Sequence, residues 1–315
     1  IIFMASQHAF VLSVAHVSKR FGRVEAVCDV SFQIQKGELF GLIGPDGAGK
    51  TTLLRMIATV LLPDTGTIRL LEYDAVKDYR EIRCRLGYMP GRFSLYPDLT
   101  VEENLTFYAT VFGTTIEENY SLISSIYKHL EPFKDRLARN LSGGMKQKLA
   151  LCCALIHRPD FLILDEPTTG VDPVSRKEFW ETLSQLVQHG ITVLVSTPYM
   201  DEANLCHRVA LMQNGKMMII DQPSNIIASF PKPLVRITHG DAYSLYKDLQ
   251  EYIHTDSVHV FGHEVHYTDK QQQPDLVSLR KFLDIKGYAS ASIEMITPSV
   301  EDCFMHYMGK SKMQA

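Results

Sequence analysis

The amino-acid sequence predicts an α/β fold, and two stretches of alternating strand and helix patterns support that prediction. In the first, the apolar run at 39–43 leads through a glycine-rich loop into residues 50–61, which have helical periodicity. In the second, the apolar run at 161–165 precedes a helical pattern at 173–189 and a further apolar run at 191–196. Buried strands that alternate with helices are typical of an α/β protein.

The glycine-rich loop after the first strand has the spacing of a phosphate-binding loop. Its pattern is G-x-x-x-x-G-K-T, and the candidate binding residues are Gly44, Pro45, Asp46, Gly47, Ala48, Gly49, Lys50, Thr51 and Thr52. Glycines let backbone N–H groups approach phosphate oxygens, and the N-terminus of the following helix adds partial positive charge. Lys50 can neutralise the outer phosphates, and the Thr51 hydroxyl can coordinate Mg²⁺. The flanking strand and helix favour a nucleoside triphosphate site over a merely flexible glycine turn.

Composition and charge narrow the class of protein. The 315 residues are enough for one large domain and a smaller one, and 45% apolar and 22% charged residues are ordinary for a globular protein. A formal net charge of −4 lacks the basic excess typical of nucleic-acid binding, so we expect no nucleic-acid partner. No apolar run approaches the roughly 18 residues that a membrane-spanning helix needs. The six cysteines include no C-x-x-C pair, which favours a reducing, cytoplasmic compartment.

The other elements of the large domain are predicted from local patterns. From about 92 to 158 the pattern is helical, and capping-box spacings from Thr100 to Glu103 and from Thr114 to Glu117 mark two helix starts. Asn214-Gly215 predicts a hairpin turn between two short strands. The remaining predictions are strands at 10–17, 24–35, 67–71 and 86–90, a turn at 19–22 and a helix at 75–85.

A change of composition at 229–233 predicts a domain boundary. We therefore predict a large domain at 8–230, with a helical subdomain at about 92–158, and a small α+β module at 231–315. His259, His263 and His266 are close together in that module, but no cysteine or carboxylate pattern supports a metal site, so we expect a hairpin surface. The predicted elements of the module are strands at 234–238, 258–261, 264–267 and 290–296 and helices at 241–252, 275–285 and 299–308.

Two carboxylates follow the apolar run at 161–164. A buried strand is rigid, so we expect Asp165 and Glu166 at its end to face a site rather than bulk water. Asp165 can hold Mg²⁺ through its water shell, and Glu166 can polarise the attacking water as the catalytic base. Two acids that only cap a surface strand are the alternative, which the nearby phosphate loop disfavours.

A second anion-binding pattern lies at residues 141–149. There Ser142, Gly143 and Gly144 open a helix, and a helix N-terminus attracts anions. One triphosphate does not need two such devices from one subunit, so this one is predicted to serve the nucleotide of a partner. A serine helix cap with glycine spacers is the alternative interpretation. The turn at 170–173, with Asp172, reads by itself as an ordinary loop.

Taken in order, these motifs resemble the nucleotide-binding subunit of an ATP-binding-cassette (ABC) transporter. The loop at 44–52 is similar to the Walker A motif, residues 141–145 to the signature, and residues 161–166 to the Walker B strand with its glutamate. Residues 170–173 are similar to the D-loop, and Phe21 lies where the family has an aromatic that stacks on adenine. The resemblance covers about residues 10–225.

The resemblance implies a fold, ligands and partners. The fold is the ABC-ATPase type of P-loop NTPase, with an antiparallel β subdomain and a helical subdomain. Two ATP molecules, with Mg²⁺, lie in a head-to-tail homodimer or heterodimer, each between the Walker A loop of one subunit and the signature of the other. The helical subdomain and the loop before it dock to transmembrane permease subunits, which places the protein peripherally on the inner face of the plasma membrane. The segment 297–304 resembles the tail of exporter-type ATPases for drugs, antibiotics or lipids.

Three positions depart from the family pattern. Gly91 stands where the family usually has a glutamine that contacts Mg²⁺, and Pro198 stands where it has a histidine that contacts the γ-phosphate. Pro198 cannot donate a hydrogen bond, although it suits the first position of a helix that Thr197 could cap. Asp46 replaces a commoner asparagine, and we expect its side chain to point into solvent. The hypothesis that follows is slow hydrolysis at this chain's own site, beside an intact signature that completes a partner's site; normal turnover with these residues is the alternative.

The predicted function is therefore that of the ATPase subunit that powers a membrane exporter through ATP-driven closure of a dimer. Two other classes remain open. A soluble ABC-type ATPase of translation, repair or cluster assembly would be found on ribosomes or DNA without a membrane partner. A nucleotide-dependent regulator would have no transport role. Co-purification with a polytopic membrane protein distinguishes the first class from both.

Overall fold

Two units make up the chain in the computed structural model, which describes residues 10–91 and 94–313. The first unit ends at Pro223 and the second begins at Ser224. The strands of the first unit are β1 (Phe10–Phe21), β2 (Val24–Gln35), β3 (Leu39–Ile43), β4 (Thr65–Leu70), β5 (Tyr73–Asp74), β6 (Leu86–Met89), β7 (Phe161–Asp165), β8 (Thr192–Thr197), β9 (Arg208–Gln213) and β10 (Lys216–Asp221). Its helices are α1 (Lys50–Ile57), α2 (Tyr79–Arg85), α3 (Val101–Val111), α4 (Ile116–Tyr127), α5 (Gly143–Leu155) and α6 (Pro173–Gln188), and α7 (Pro223–Ala228) follows at the boundary.

A six-stranded sheet in the order β10-β9-β3-β8-β7-β6 forms the centre of the first unit. All neighbours pair in parallel except β10, which pairs antiparallel with β9 across the predicted Asn214-Gly215 turn. Strands β3, β7 and β8 are buried along their whole length, as their apolar sequences require. Because the carboxyl ends of parallel strands meet at one edge, the loop after β3 and the carboxylates after β7 lie at the same edge.

A second, antiparallel sheet in the order β2-β1-β4-β5 packs against the first through a shared apolar core. The rings of Phe32 and Phe40 stack there with centroids 5.5 Å apart. The mixed α/β architecture confirms the predicted fold class.

The predicted turn at 19–22 is wrong, because β1 runs on to Phe21 and only Gly22 and Arg23 separate it from β2. Register shifts along the β1–β2 ladder accommodate the polar residues that suggested a turn.

Two helices are shorter than their patterns predict. The predicted helix at 50–61 ends at Ile57, because Thr59 adopts a left-handed φ of 59° and its carbonyl accepts a hydrogen bond from the Arg83 side chain. The predicted helix at 75–85 begins only at Tyr79. Before it, one carboxylate oxygen of Asp74 accepts from the N–H groups of the second and third residues that follow, which stabilises a turn instead.

The helical insertion consists of α3, α4 and α5, with 3-10 turns at Glu131–Phe133 and Ala138–Asn140 between α4 and α5. Residues 92 and 93, where it was predicted to begin, lie outside the described residues. Thr100 and Glu103 form the predicted capping box. The second box is one residue later than predicted: Thr115 accepts from the backbone of Glu118, while Thr114 donates to the Glu118 carboxylate. Both threonines have the right spacing to an acid, so backbone geometry decides between them.

The second unit is an α+β module, as predicted. Its elements follow in the order β11 (Leu234–Thr238), α8 (Ala242–Glu251), β12 (Thr255–Phe261), β13 (Glu264–Asp269), α9 (Leu276–Ile285), β14 (Ser292–Ile296) and α10 (Val300–Met313). The sheet order β12-β13-β11-β14, with all neighbours antiparallel, is the ferredoxin-like split β-α-β arrangement. Apolar residues of β11, β13, α8 and α9 form its core. The limits 8–230 and 231–315 remain predictions.

Within the unit, the predicted histidine surface is partly a buried contact. His259 and His266 face each other on paired strands. The His266 Nδ1 atom lies 2.6 Å from the Asp302 carboxylate of α10. Asp302 also accepts hydrogen bonds from the backbone and hydroxyl of Ser299, the residue that precedes α10. These contacts give His266 a structural partner.

Candidate functional site

The loop between β3 and α1 has the backbone shape that its glycines allow. A Cβ atom on Gly44 would lie 2.1 Å from the carbonyl oxygen of Met212, and one on Gly49 would lie 2.2 Å from that of Ala26. Gly47 and Gly49 also have left-handed φ angles of 78° and 104°. Any side chain at Gly44 or Gly49 would therefore displace the loop. Asp46 is exposed at the tip of the loop.

Lys50 is held at the floor of this loop. Its side chain is only 3% exposed. The ammonium group donates to the carbonyl oxygens of Gly44, at 2.8 Å, and Pro45, at 3.1 Å, and it pairs with Glu166 Oε1 at 3.1 Å. A cavity of about 360 Å³ opens beside it, lined by Val24, Glu25, Ala26, residues 47–52, Glu166, Asn214 and Gly215. The cavity thus combines backbone N–H groups, a cation and the expected base.

Thr51 and Asp165 meet at the same edge of the sheet. The Thr51 hydroxyl donates to Asp165 Oδ1 at 3.1 Å, and the Ser196 hydroxyl donates to the same oxygen at 2.7 Å. Hydroxyl and carboxylate oxygens are the hard ligands that Mg²⁺ takes, so this pair fits a magnesium ion. The backbone N–H of Glu166 donates to the carbonyl and the hydroxyl of Ser196, and Glu166 has a left-handed φ of 51°.

The signature residues form a second group. Ser142 caps α5 and accepts from the backbone N–H of Met145 at 3.3 Å. Gly143 and Gly144 lie against the turn at 170–175, where a Cβ on Gly144 would meet the Ser175 side chain at 2.8 Å. Asp172 caps α6, and the Ser175 amide that hydrogen-bonds its carboxylate holds the Asp172 pKa below its usual range. None of residues 142–144 or Asp172 lines the cavity beside Lys50.

Phe21 lies at the tip of the β1–β2 hairpin, next to the strand residues that line the cavity but not among them. Its ring is 50% exposed. The Lys19 ammonium lies 5.6 Å from the ring centroid, and Asp64 pairs with that ammonium at 2.6 Å. A half-exposed aromatic ring next to a cavity-lining strand suits a stacked base.

Of the three departures from the family pattern, Gly91 lies beside Asp165 and Pro198 lies directly after β8. A Cβ on Gly91 would lie 3.0 Å from the Asp165 carbonyl oxygen and 3.7 Å from the Asp165 Cγ atom, so a side chain there would project beside the Asp165 carboxylate. Pro198 directly follows β8. The expected helix capped by Thr197 is wrong: the Thr197 hydroxyl accepts from the Tyr199 N–H, but the 3-10 helix begins at Met200.

Sequence reasoning assigned no role in the site to three polar residues of this region. Ser196 and Thr197, at the end of β8, contact Asp165, Glu166 and the phosphate loop. Glu202, in the 3-10 helix Met200–Leu205, is buried beside them. The available signal was the pair of polar residues at the end of an apolar run. The groups that Ser196 and Thr197 contact could not be identified from the sequence, because these contacts arise from the position of β8 between β3 and β7.

Known proteins are similar to this chain over most of its length. The Nod factor export ATP-binding protein I of Burkholderia thailandensis is 36% identical over 299 residues, which cover 93% of this chain and 95% of that protein. The chain belongs to the ABC transporter family. The family's sequence model, described as ABC transporter, matches residues 27–169, from β2 to the turn after the Walker B strand.

Further similarities within the ABC family extend over most of the chain. The probable multidrug ABC transporter ATP-binding protein YbhF of Escherichia coli is 37% identical over 310 residues, 95% of this chain and 52% of YbhF. The chain therefore spans about half the length of that relative. A dimeric structure of the post-hydrolysis state of the cassette MJ0796, bound to ADP and Pi, superposes with a TM-score of 0.61 at 25% identity, covering 67% of this chain and 98% of the cassette.

Proposed function

We propose that this chain is the ATP-binding and ATP-hydrolysing subunit of an ABC exporter. The observation that carries the proposal is the convergence of Lys50, Thr51, Asp165 and Glu166 at one edge of the central sheet, with hydrogen-bond or ion-pair distances between them. The names of the relatives support export as the process that hydrolysis drives, since one is described as a Nod factor export ATP-binding protein and another as a multidrug ABC transporter ATP-binding protein.

In this proposal the cavity beside Lys50 binds the triphosphate. The loop N–H groups and the Lys50 ammonium neutralise the phosphates, and Phe21 stacks on the adenine. Thr51 and Asp165 hold Mg²⁺, which stabilises the charge that develops on the phosphoryl group. Glu166 takes the proton of the attacking water as general base.

The signature residues complete the site of a second cassette in this proposal. Ser142, Gly143, Gly144 and Asp172 lie together but apart from the cavity beside Lys50, which supports a role toward a nucleotide bound by a partner. A homodimer or a heterodimer with another ABC ATPase satisfies this arrangement. Binding of two ATP molecules closes the dimer, and hydrolysis reopens it.

An apolar groove supports docking of the helical subdomain to a permease subunit. A cavity of about 450 Å³ lies between α3, α5 and the end of β6, and its lining includes Met89, Leu95, Tyr108, Phe112, Cys153 and His157. The rings of Phe112 and His157 stack 3.8 Å apart, and burial lowers the pKa of His157, which favours its uncharged form. The lining also includes the charged side chain of Arg83. The described part of the chain contains no helix that could itself span a membrane. We propose a peripheral position on the cytoplasmic face of the plasma membrane.

The test of this function is a detergent pull-down of the tagged protein from its native membranes, followed by identification of the captured proteins. A polytopic membrane protein and an ATPase activity that depends on the complex support the proposal. Capture of ribosomes or DNA without a membrane protein would instead favour the soluble ABC-type ATPases, and capture without any ATPase activity would favour a regulator.

We further propose that the chain's own site turns over slowly because Gly91 and Pro198 lack polar side chains. Pro198→His is therefore expected to raise the single-turnover rate about tenfold or more, since one donor to a developing charge contributes on the order of 10²-fold. The rate is measured with γ-labelled ATP and excess protein. Pro198→Ala is the matched control and should stay at the wild-type rate. Fast Mg²⁺-dependent turnover by the wild-type chain, abolished by Glu166→Gln, would show that the site needs neither side chain.

Phe21→Ala is expected to weaken ATP binding about tenfold, because stacking of a base on an aromatic ring contributes roughly 1–3 kcal/mol. Inorganic triphosphate lacks the base, so its affinity should not change. Both affinities follow from competition against a fluorescent nucleotide. Phe10, an equally exposed phenylalanine at the other end of β1, provides the control variant Phe10→Ala. Equal losses for ATP and triphosphate would contradict the stacking role.

A further inference from the structure

Glu202 is a buried carboxylate that none of the roles above uses. Its side chain is 1% exposed. One carboxylate oxygen, Oε1, accepts from the Thr168 hydroxyl at 2.9 Å and pairs with Arg176 Nε at 2.7 Å. The other oxygen, Oε2, accepts from the Thr197 hydroxyl. A carboxylate is costly to bury unless it is paired and hydrogen-bonded, and here both oxygens are satisfied.

The three partners of Glu202 come from three segments of the chain, and two of these border the phosphate site. Thr168 lies two residues after Glu166, in the turn where the Thr169 N–H donates to the Glu166 carbonyl at 3.2 Å. Thr197 ends β8, and its carbonyl accepts from the Gly44 N–H at 3.3 Å. Arg176 belongs to α6, next to the serine that packs against the signature. Glu202 therefore links segments that are far apart in the sequence.

Glu202 is linked to the segments on two sides of Glu166. The segment after it is tied to Glu202 through Thr168, and the strand beside it is tied to Glu202 through Thr197. Ser196, next to Thr197, accepts from the Glu166 N–H at 3.0 Å. Glu166 itself has a left-handed φ, a conformation that persists only where neighbouring contacts enforce it.

Arg176 is in turn held on its other sides. Its guanidinium pairs with Asp201 at 2.6 Å and lies 4.3 Å from the centroid of the Tyr199 ring. Asp201 and Tyr199 flank Met200 at the start of the 3-10 helix that carries Glu202. The arginine thus clamps the segment that follows Pro198 onto α6.

We propose that Glu202, held by Arg176, is a positioning residue for Glu166, a role that rests on the proposed ATPase function. The pair fixes the turn after Glu166 and the end of β8, so that the base keeps the orientation needed to accept a proton from water. Pro198 has no side chain that can donate a hydrogen bond. The buried Glu202–Arg176 pair instead fixes this segment through the contact of Glu202 with Thr197.

The test is Glu202→Gln, which keeps the shape of the side chain and removes its charge. The single-turnover rate is expected to fall about tenfold or more, because a small misplacement of a catalytic group can cost up to about 10²-fold, while the Kd for MgATP stays within about twofold. Arg176→Met should give a similar loss, and the double variant should be no slower than either single one. Glu181→Gln is the matched control and should keep the wild-type rate, since Glu181 is an exposed glutamate of α6 that contacts Lys177 rather than Arg176.

Two further measurements separate positioning from other roles. In a Glu166→Gln background, Glu202→Gln should leave the residual rate unchanged; a further fall there would show that Glu202 acts independently and would overturn the proposal. Hydrogen exchange of the full chain should speed up in peptides covering 166–170 and 196–202, with unchanged exchange in β3. Wild-type rate and wild-type exchange in Glu202→Gln would also overturn it.

The hydrogen-exchange measurement distinguishes a failure of the proposed ATPase function from a failure of the proposed positioning role of Glu202. If the wild-type chain and its complexes hydrolyse no ATP, the proposed function fails, and exchange alone decides whether Glu202 orders the Glu166 turn. If Glu202→Gln does not fold, Thr168→Val removes one of the three contacts and should give the same pattern of exchange with a smaller loss of rate. Unchanged exchange in that variant contradicts the proposal.

Discussion

Lys50→Met should weaken MgATP binding by about two orders of magnitude or more. The Lys50 ammonium is buried at the floor of the phosphate loop and is already held there by two backbone carbonyls. Hydrogen bonds that involve a charged group contribute roughly 1.5–3 kcal/mol each, so two such bonds to phosphate account for a loss of this size. Titration calorimetry with ATP and Mg²⁺ measures the change directly.

The control for this variant is Lys177→Met, because Lys177 is an exposed lysine of α6 whose contact is with Glu181. It should bind MgATP as the wild type does. Thermal unfolding of Lys50→Met should be recorded as well, since the substitution leaves Glu166 without its cation. Undiminished binding by a folded Lys50→Met variant would mean that the nucleotide is bound elsewhere.

Glu166→Gln should lower the single-turnover rate of ATP hydrolysis by at least about 10²-fold, the contribution that a positioned general base typically makes. The amide cannot accept the proton of the attacking water. It keeps the size of the carboxylate, so MgATP affinity should remain at or above the wild-type level. Persistence of an ATP-bound dimer on size-exclusion chromatography is the expected companion result.

Glu181→Gln is the matched control for the base, because Glu181 is an exposed glutamate on α6 outside the cavity. Its rate should equal that of the wild type. A Glu166→Gln variant that still hydrolyses ATP at the wild-type rate would assign the base to another group. Comparison with Pro198→His then shows whether the base or the segment beside it limits the rate.

Local signals in the sequence predicted much of the first unit. The phosphate loop, the buried strand before Asp165, the serine cap of α5 and the Asn214-Gly215 hairpin each depend on neighbouring residues only. The errors in the sequence predictions are local as well, since each concerns where an element begins or ends. The strand β1 extends through the polar pair before Phe21, and the second capping box begins one residue late, because backbone geometry chooses between sequences that satisfy the same pattern.

For the candidate site, the residues could be predicted from the sequence, but the contacts between them could not. Residue types and spacing identified Lys50, Thr51, Asp165 and Glu166, since each follows a recognisable strand. The contacts among them were not predictable in detail: the pairing of Lys50 with Glu166 and of Thr51 with Asp165 joins residues more than one hundred positions apart. The position of Gly91 beside Asp165 likewise follows from the pairing of β6 with β7.

The sequence by itself determined that this protein is an α/β cassette with a phosphate loop, a carboxylate strand and a signature, because those features are written in short continuous stretches. Only the tertiary structure decided how they are held. Strand β8 lies between β3 and β7, and that order brings Ser196 and Thr197 against the phosphate loop and the carboxylates. Glu202 then joins this edge to α6 through Arg176. The role of a buried carboxylate can be inferred only from its partners. The partners of Glu202 come from segments that are distant in the sequence and that the fold brings together.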